Sequence, residues 1–280
     1  MLAVIGFLYY QGKRRPVGNR QYVAMGSSFA AGPGVGQRDP RSPLLCMRSA
    51  QNYAHLLARA RGLNLTDVTC SGATTQHLLK GGQYFQPPQL DALGPNTELV
   101  TVTIGGNDVS YLGNLLAWSS QQAPKRMPFV GRLLARATTS EEQVDRAFAM
   151  LPDRLAQIAA EVRRRSPRAT LVFVDYTTVL PEEGSCPDPL PVTDQQLQRS
   201  RDVTRRLADI TATVARDSGV LLVRASEVTR GHDICSDDPW VFGFENAVSP
   251  FAFGAAAYHP NEKAMQAIAD AINAALPPLP

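Results

Sequence analysis

The sequence predicts an α/β fold: a three-layer α/β/α sandwich around a parallel, flavodoxin-like, five-stranded sheet. Two observations predict it. Short apolar, β-branched runs alternate along the chain with segments whose apolar residues recur at helical spacing. The strongest of those runs are nearly continuous, as strands covered on both faces are. At 280 residues the chain is long enough for one large domain. No repeat or linker splits it, so residues 1–20 are read as an N-terminal apolar and basic segment and 21–280 as the domain.

In chain order, "QYVAMG" (21–26) alternates and runs into a glycine, and "LTDVTC" (65–70) is a weaker strand. "LVTVTIGG" (99–106), "ATLVFVDY" (169–176) and "GVLLVRAS" (219–226) are the buried strands. Between them, "SAQNYAHLLARARG" (49–62) opens on a Ser cap candidate and stops at Gly62. From Ser140 to Arg165, Val144, Phe148, Leu151, Leu155, Ile158 and Val162 form one apolar face, with a kink or break expected at Pro152. From Thr193 to Ser218, Val203, Leu207, Ile210 and Val214 repeat the pattern, with Gly219 as the stop. A last helix runs from about Asn261 to Ala275. Residues 117–139 and 177–195 read as long loops.

Composition excludes some functions. Net charge is +3 and the pI is about 8.7, too mild for a nucleic-acid binder. The clusters Lys13-Arg14-Arg15 and Arg163-Arg164-Arg165 read as a chain end and a helix end. The opening "MLAVIGFLYY" is too short to span a bilayer, and its basic residues follow it rather than precede it. It reads as the tail of a signal or anchor, with a loosely packed arm as the alternative. The four cysteines, Cys46, Cys70, Cys186 and Cys235, contain no Cys-x-x-Cys pair and leave three pairings open. Their even number beside an apolar N-terminus points to disulfides and an export compartment.

Ligands of such sheets bind beyond the carboxyl ends of the strands, so chemistry is sought at 26–36, 70–76, 104–110, 175–187 and 226–240. "GSSFAAGPGVG" places two serines at a strand-to-helix turn. It lacks the glycine spacing of a dinucleotide loop and the Lys of a phosphate loop. "TIGGNDVS" closes the third strand with Asn107, a neutral N–H donor. "CSGATT" puts Gly72 just after the second strand. His259 precedes Pro260, which holds it out of the last helix, where it can serve as a general base. His55, His77 and His232 read as structural or surface residues. Taken singly, each segment is a turn or a helix cap.

Together and in this order, Gly26-Ser27-Ser28, Gly72, Gly106-Asn107-Asp108 and His259-Pro260-Asn261 resemble the SGNH hydrolases, the GDSL-type esterases and lipases. The stretch 46–75 is similar to the family's secreted, actinobacterial-lipase-like branch. The resemblance implies Ser28 as nucleophile and His259 as general base. It implies an oxyanion hole of the Ser28 and Gly72 N–H groups with the Asn107 side chain. It also implies a Cys46–Cys70 disulfide, which leaves Cys186–Cys235 as the second. Two positions depart from the family pattern. Ser27 stands where the family has Asp, and Ala256 stands where it often has the Asp that precedes the catalytic His. Some members of the branch use a Ser–His dyad with a backbone carbonyl orienting the imidazole, here Ala256's. Asp233, Asp237 or Asp238 is the alternative acid.

The implied activity is carboxylic ester hydrolysis through an acyl-enzyme, with no cofactor and no metal. The partner is a small-molecule ester or lipid. A secreted, periplasmic or outer-surface monomer is expected, with membrane association through the N-terminal segment as an option. The alternatives are a non-catalytic carbohydrate- or lipid-binding protein of the same fold and a cell-surface O-acyltransferase.

Overall fold

The computed structural model describes residues 2–14, 18–19, 21–123, 136–244 and 256–277. Five parallel strands, β1 (Tyr22–Gly26), β2 (Leu65–Asp67), β3 (Leu99–Thr103), β4 (Thr170–Val174) and β5 (Leu221–Val223), form one sheet. Their order is β2-β1-β3-β4-β5, the flavodoxin-like arrangement the sequence predicts. Gly26 pairs with Thr103 and Ala24 with Asp67, so the carboxyl ends of the central strands open on one edge.

Side chains of a strand point alternately to opposite faces, and here both faces are buried. Val23 and Met25 of β1 enter one core with Val100, Val102, Leu171 and Phe173. Tyr22 and Ala24 enter a second core with Val172, Val174 and Val223. The first core is covered by α5 (Tyr111–Gln122), α6 (Glu141–Arg165) and α7 (Asp194–Asp217), through Leu115, Phe148, Leu151, Leu155, Leu207 and Val214. The second is covered by α3 (Tyr53–Arg61) and α9 (Glu262–Ala275), through Leu57, Met265, Ile268 and Ile272. Continuous apolar strands are the consequence of this double cover. The remaining helices are short, α2 (Ser28–Ala31), α4 (Thr75–Leu79) and α8 (Ala225–Val228), apart from α1 (Leu2–Gly12) at the N-terminus.

Caps set the helix starts. Ser140 and Gln143 form a capping box at α6, and Thr193 and Gln196 form another at α7. Asn261 accepts from the N–H groups of Lys263 and Ala264 at the start of α9. Three elements differ from expectation. The chain does not break at Pro152: α6 runs unbroken for 25 residues. Val144, Phe148 and Leu151 before the proline and Leu155, Ile158 and Val162 after it sink into one core, and that burial outweighs the lost hydrogen bond. Residues 117–122 of the expected loop are helical, the end of α5, while 124–135 lie outside the described residues. Residues 2–12 are a helix rather than a loose arm.

Both disulfides are formed, Cys46–Cys70 and Cys186–Cys235. The first ties the 44–47 turn to the segment after β2. A buried ion pair supports that segment from beneath. Arg48 lies 3.2 Å from Asp67 and donates twice to the Thr69 carbonyl. Burial pushes the Asp67 carboxyl up, but Arg48 and His55 outweigh it and hold the group at about 2.

Candidate active site

The turn after β1 is shaped by what cannot fit there. Gly26 has φ +137°, and a Cβ on it would lie 2.3 Å from the Thr103 carbonyl oxygen, so only glycine lets β1 approach β3 this closely. The Gly26 peptide is clamped by Gln89, which accepts from its N–H (2.8 Å) and donates to its carbonyl (3.1 Å). The Ser27 N–H then bonds the Thr103 carbonyl at 3.0 Å, and α2 begins at Ser28. As the first residue of a helix, Ser28 has an N–H with no carbonyl a turn earlier to accept it. Ser28 is only 7% exposed.

The second segment is held by the Cys46–Cys70 bridge, and Gly72 follows with φ +81°, where an added Cβ would touch Gln83 Nε2 at 3.5 Å. In the third, the Asn107 amide donates one N–H to the Ala73 carbonyl at 2.9 Å. An amide nitrogen carries two donors, so one remains. The neighbouring Asp108 accepts from the N–H and hydroxyl of Thr75 and from Arg154. Asp108 therefore welds the Asn107 turn to the Gly72 segment.

His259 is 6% exposed. Its loop is pinned by a hydrogen bond from the Phe242 N–H to the His259 carbonyl (2.9 Å) and one from Asn261 to Trp240 (2.9 Å). Its Nδ1 donates to the Ala257 carbonyl at 2.9 Å. A carbonyl can only accept, so the proton sits on Nδ1 and the Nε2 lone pair is free. This carbonyl is one residue beyond the expected Ala256, whose own oxygen accepts the His259 backbone N–H (3.0 Å). The cause is local: Tyr258 has φ +65°, a left-handed residue that turns the Ala257 carbonyl back under the ring. Burial pulls the imidazole down to about 4, against smaller opposing effects of the Ala257 and then the Ala256 carbonyl.

Two of the three alternative acids are engaged elsewhere. Asp233 accepts from the Cys235 N–H, and Asp238 holds Lys263 and the Trp240 indole. Among the described residues, none of the carboxylates bonds His259. Of the other histidines, His77 closes the capping box of α4, His55 faces Asn52 and Asp67, and His232 stacks on Trp240.

Ser28, Gly72, Asn107 and His259 line one cavity of about 230 Å³, with Ser27, Phe29, Met47, Tyr84, Gly106 and Tyr176 among its other walls. Ala256 is buried outside that lining. Among the described residues, the lining holds no Asp, Glu, Lys or Arg. Trp118 faces a different cavity, beside Thr139 and Arg206.

Two wall residues escape sequence reasoning. The Tyr176 hydroxyl accepts from the Gly106 N–H at 2.7 Å and lies 3.4 Å from Ser27 Oγ. It thus bridges the Ser27-Ser28 turn and the Asn107 turn, and burial pushes it up to about 12. From sequence, its segment reads only as following a strand. Tyr84 belongs to a turn between helices and carries no motif at all.

Comparison with known proteins places the chain in a family. Residues 24–267 match the GDSL-like Lipase/Acylhydrolase family. Lipase 2 of Streptomyces coelicolor is 34% identical over 246 residues, covering 83% of this chain and 81% of the relative. The crystal structure of the extracellular lipase from Streptomyces rimosus superposes with a TM-score of 0.70 at 25% identity, covering 91% of this chain and 99% of that one. Phospholipase A1 from Streptomyces albidoflavus gives 0.71 at 25% identity, covering 91% and 98%. A matched span that runs from within β1 to beyond His259 places the chain in the GDSL-like lipase/acylhydrolase family, as a carboxylic ester hydrolase.

Proposed function

We propose that the chain hydrolyses carboxylic esters by a Ser28–His259 dyad with an acyl-enzyme intermediate. The carrying observation is that Ser28, Gly72, Asn107 and His259, distant in sequence, wall one cavity. His259 Nε2 takes the Ser28 hydroxyl proton as Oγ bonds the ester carbon. The carbonyl electron pair moves onto oxygen. The N–H groups of Ser28 and Gly72 and the free Asn107 N–H receive that charge. Nε2–H then protonates the departing alkoxide. Water repeats the cycle on the acyl-enzyme and restores Ser28. The Ala257 carbonyl, with Ala256's nearby, holds the Nδ1–H tautomer throughout. A neutral acceptor orients the ring but steadies the imidazolium less than a carboxylate does.

The remaining readings rest on indirect support. Residues 21–280 act as one hydrolase domain because the two cores share one sheet. Two disulfides support an exported location.

A fluorophosphonate tests the mechanism. One equivalent should add to Ser28, and Ser28→Ala should lose both labelling and turnover of a short p-nitrophenyl ester. Labelling at Ser27, or turnover retained in Ser28→Ala, would overturn the assignment.

A further inference from the structure

The helix α1 has no water-facing side. Val4, Ile5, Phe7, Tyr9 and Tyr10 are each between 45% and 68% exposed. At about 100° per residue they point all round the axis. A helix apolar on every side is suited to a non-aqueous surrounding, and contiguous exposed apolar surface marks an interaction site.

The C-terminal end of α1 is seated on the rim of the catalytic cavity. A Cβ on Gly12 would lie 2.0 Å from the Tyr84 carbonyl oxygen, so glycine permits the contact. The Tyr9 and Phe85 rings meet edge to face at 5.8 Å. Tyr84 and Phe85 are consecutive left-handed residues, with φ +48° and +63°. Such residues are uncommon and cluster at functional segments. Tyr84 walls the cavity while Phe85 stays 45% exposed beside α1. The apolar surface of α1 therefore continues through one turn into the site.

Charge selects the partner. Lys13 and Arg14, exposed at the end of α1, bond no carboxylate among the described residues. Aromatic side chains beside cations suit the headgroup region of a bilayer, and the cations favour anionic lipid.

We propose that α1 and the Tyr84–Phe85 turn form one docking face for an anionic lipid surface, from which a lipid ester enters the catalytic cavity. The lipid ester as substrate rests on the hydrolase reading above; the docking does not.

The test is flotation of the full chain with vesicles of phosphatidylcholine, with and without phosphatidylglycerol. It is paired with turnover of a soluble short-chain ester and of a long-chain ester held in the same vesicles. Anionic vesicles should bind roughly tenfold more protein than neutral ones, and Lys13→Glu with Arg14→Glu should remove that preference. Phe7→Ser with Tyr10→Ser should lower vesicle binding and vesicle-borne turnover about tenfold or more. Soluble-ester turnover should be unchanged in both pairs, which also reports that the variants fold. Equal binding to neutral and anionic vesicles would overturn the proposal. So would a Phe7→Ser/Tyr10→Ser pair that keeps vesicle-borne turnover, or one that instead dissolves a dimer of the chain. If the wild type turns over neither ester but still floats with anionic vesicles, the hydrolase reading fails and the docking stands.

Discussion

The acid limb of the pH–rate profile is the most direct probe of the dyad. The perturbation is pH itself, applied to the wild-type chain. His259 is buried, its Nδ1–H is bonded to a neutral carbonyl, and burial takes it from the ordinary 6.5 to about 4. At 1.36 kcal/mol per pH unit, the fold disfavours the imidazolium by roughly 3 kcal/mol relative to water. In the proposed dyad, the neutral ring is the form that acts as general base. At pH 5 about nine-tenths of the molecules should carry it, against about 3% for an unperturbed histidine. Thus kcat/KM on a soluble ester should stay near its plateau at pH 5 and halve near pH 4. The stability sign is separate. A folded-state value below the unfolded one gives a contribution that is full above pH 6.5 and is lost as pH falls towards 4. Thermal melts at each pH separate unfolding from titration. An acid limb centred at 6.5 or higher, with the fold intact, would show a carboxylate or solvent at the ring and refute the burial argument.

Three further perturbations follow from the walls of the cavity. Asn107→Ala should lower kcat by roughly 100- to 1,000-fold with little change in KM, measured by steady-state hydrolysis; an effect confined to KM would remove Asn107 from the oxyanion hole. Tyr176→Phe strips the acceptor from the buried Gly106 N–H, so it should cost about 1–3 kcal/mol of stability and lower kcat more than it raises KM; unchanged melting and kcat would show that the bridge is idle. Replacing Cys46 and Cys70 together by Ala should cost about 2–5 kcal/mol by denaturant melts. Because Gly72 follows that bridge directly, turnover should fall as well. Activity fully retained at a temperature where the variant stays folded would show that the bridge does not position the hole.

Local chemistry made most of the frame readable. The strands are β-branched runs because both faces are buried, and the serine and threonine boxes at Ser140 and Thr193 start the two long helices where the pattern places them. α5 was hidden because Gly113, Asn114, Ser119 and Ser120 carry little helical preference. Its helix is decided by burial of Leu112 and Leu115, a tertiary fact. The four family blocks were legible for a different reason. Each sits where a strand ends, so its spacing follows from the topology. What stayed hidden is the set of contacts around Ser27 and the His259 ring. Tyr176 reaches Gly106 across 70 residues, a distance no local pattern spans. The carbonyl that orients His259 is chosen by the φ of Tyr258, not by any side chain that could be read. On the proposed mechanism, the carboxylates that the family resemblance expects at Ser27 and Ala256 are replaced by a phenol and by a peptide group. Both substitutes are neutral. The pH profile and Tyr176→Phe test them independently, because one reads the base and the other reads the turn that holds the nucleophile.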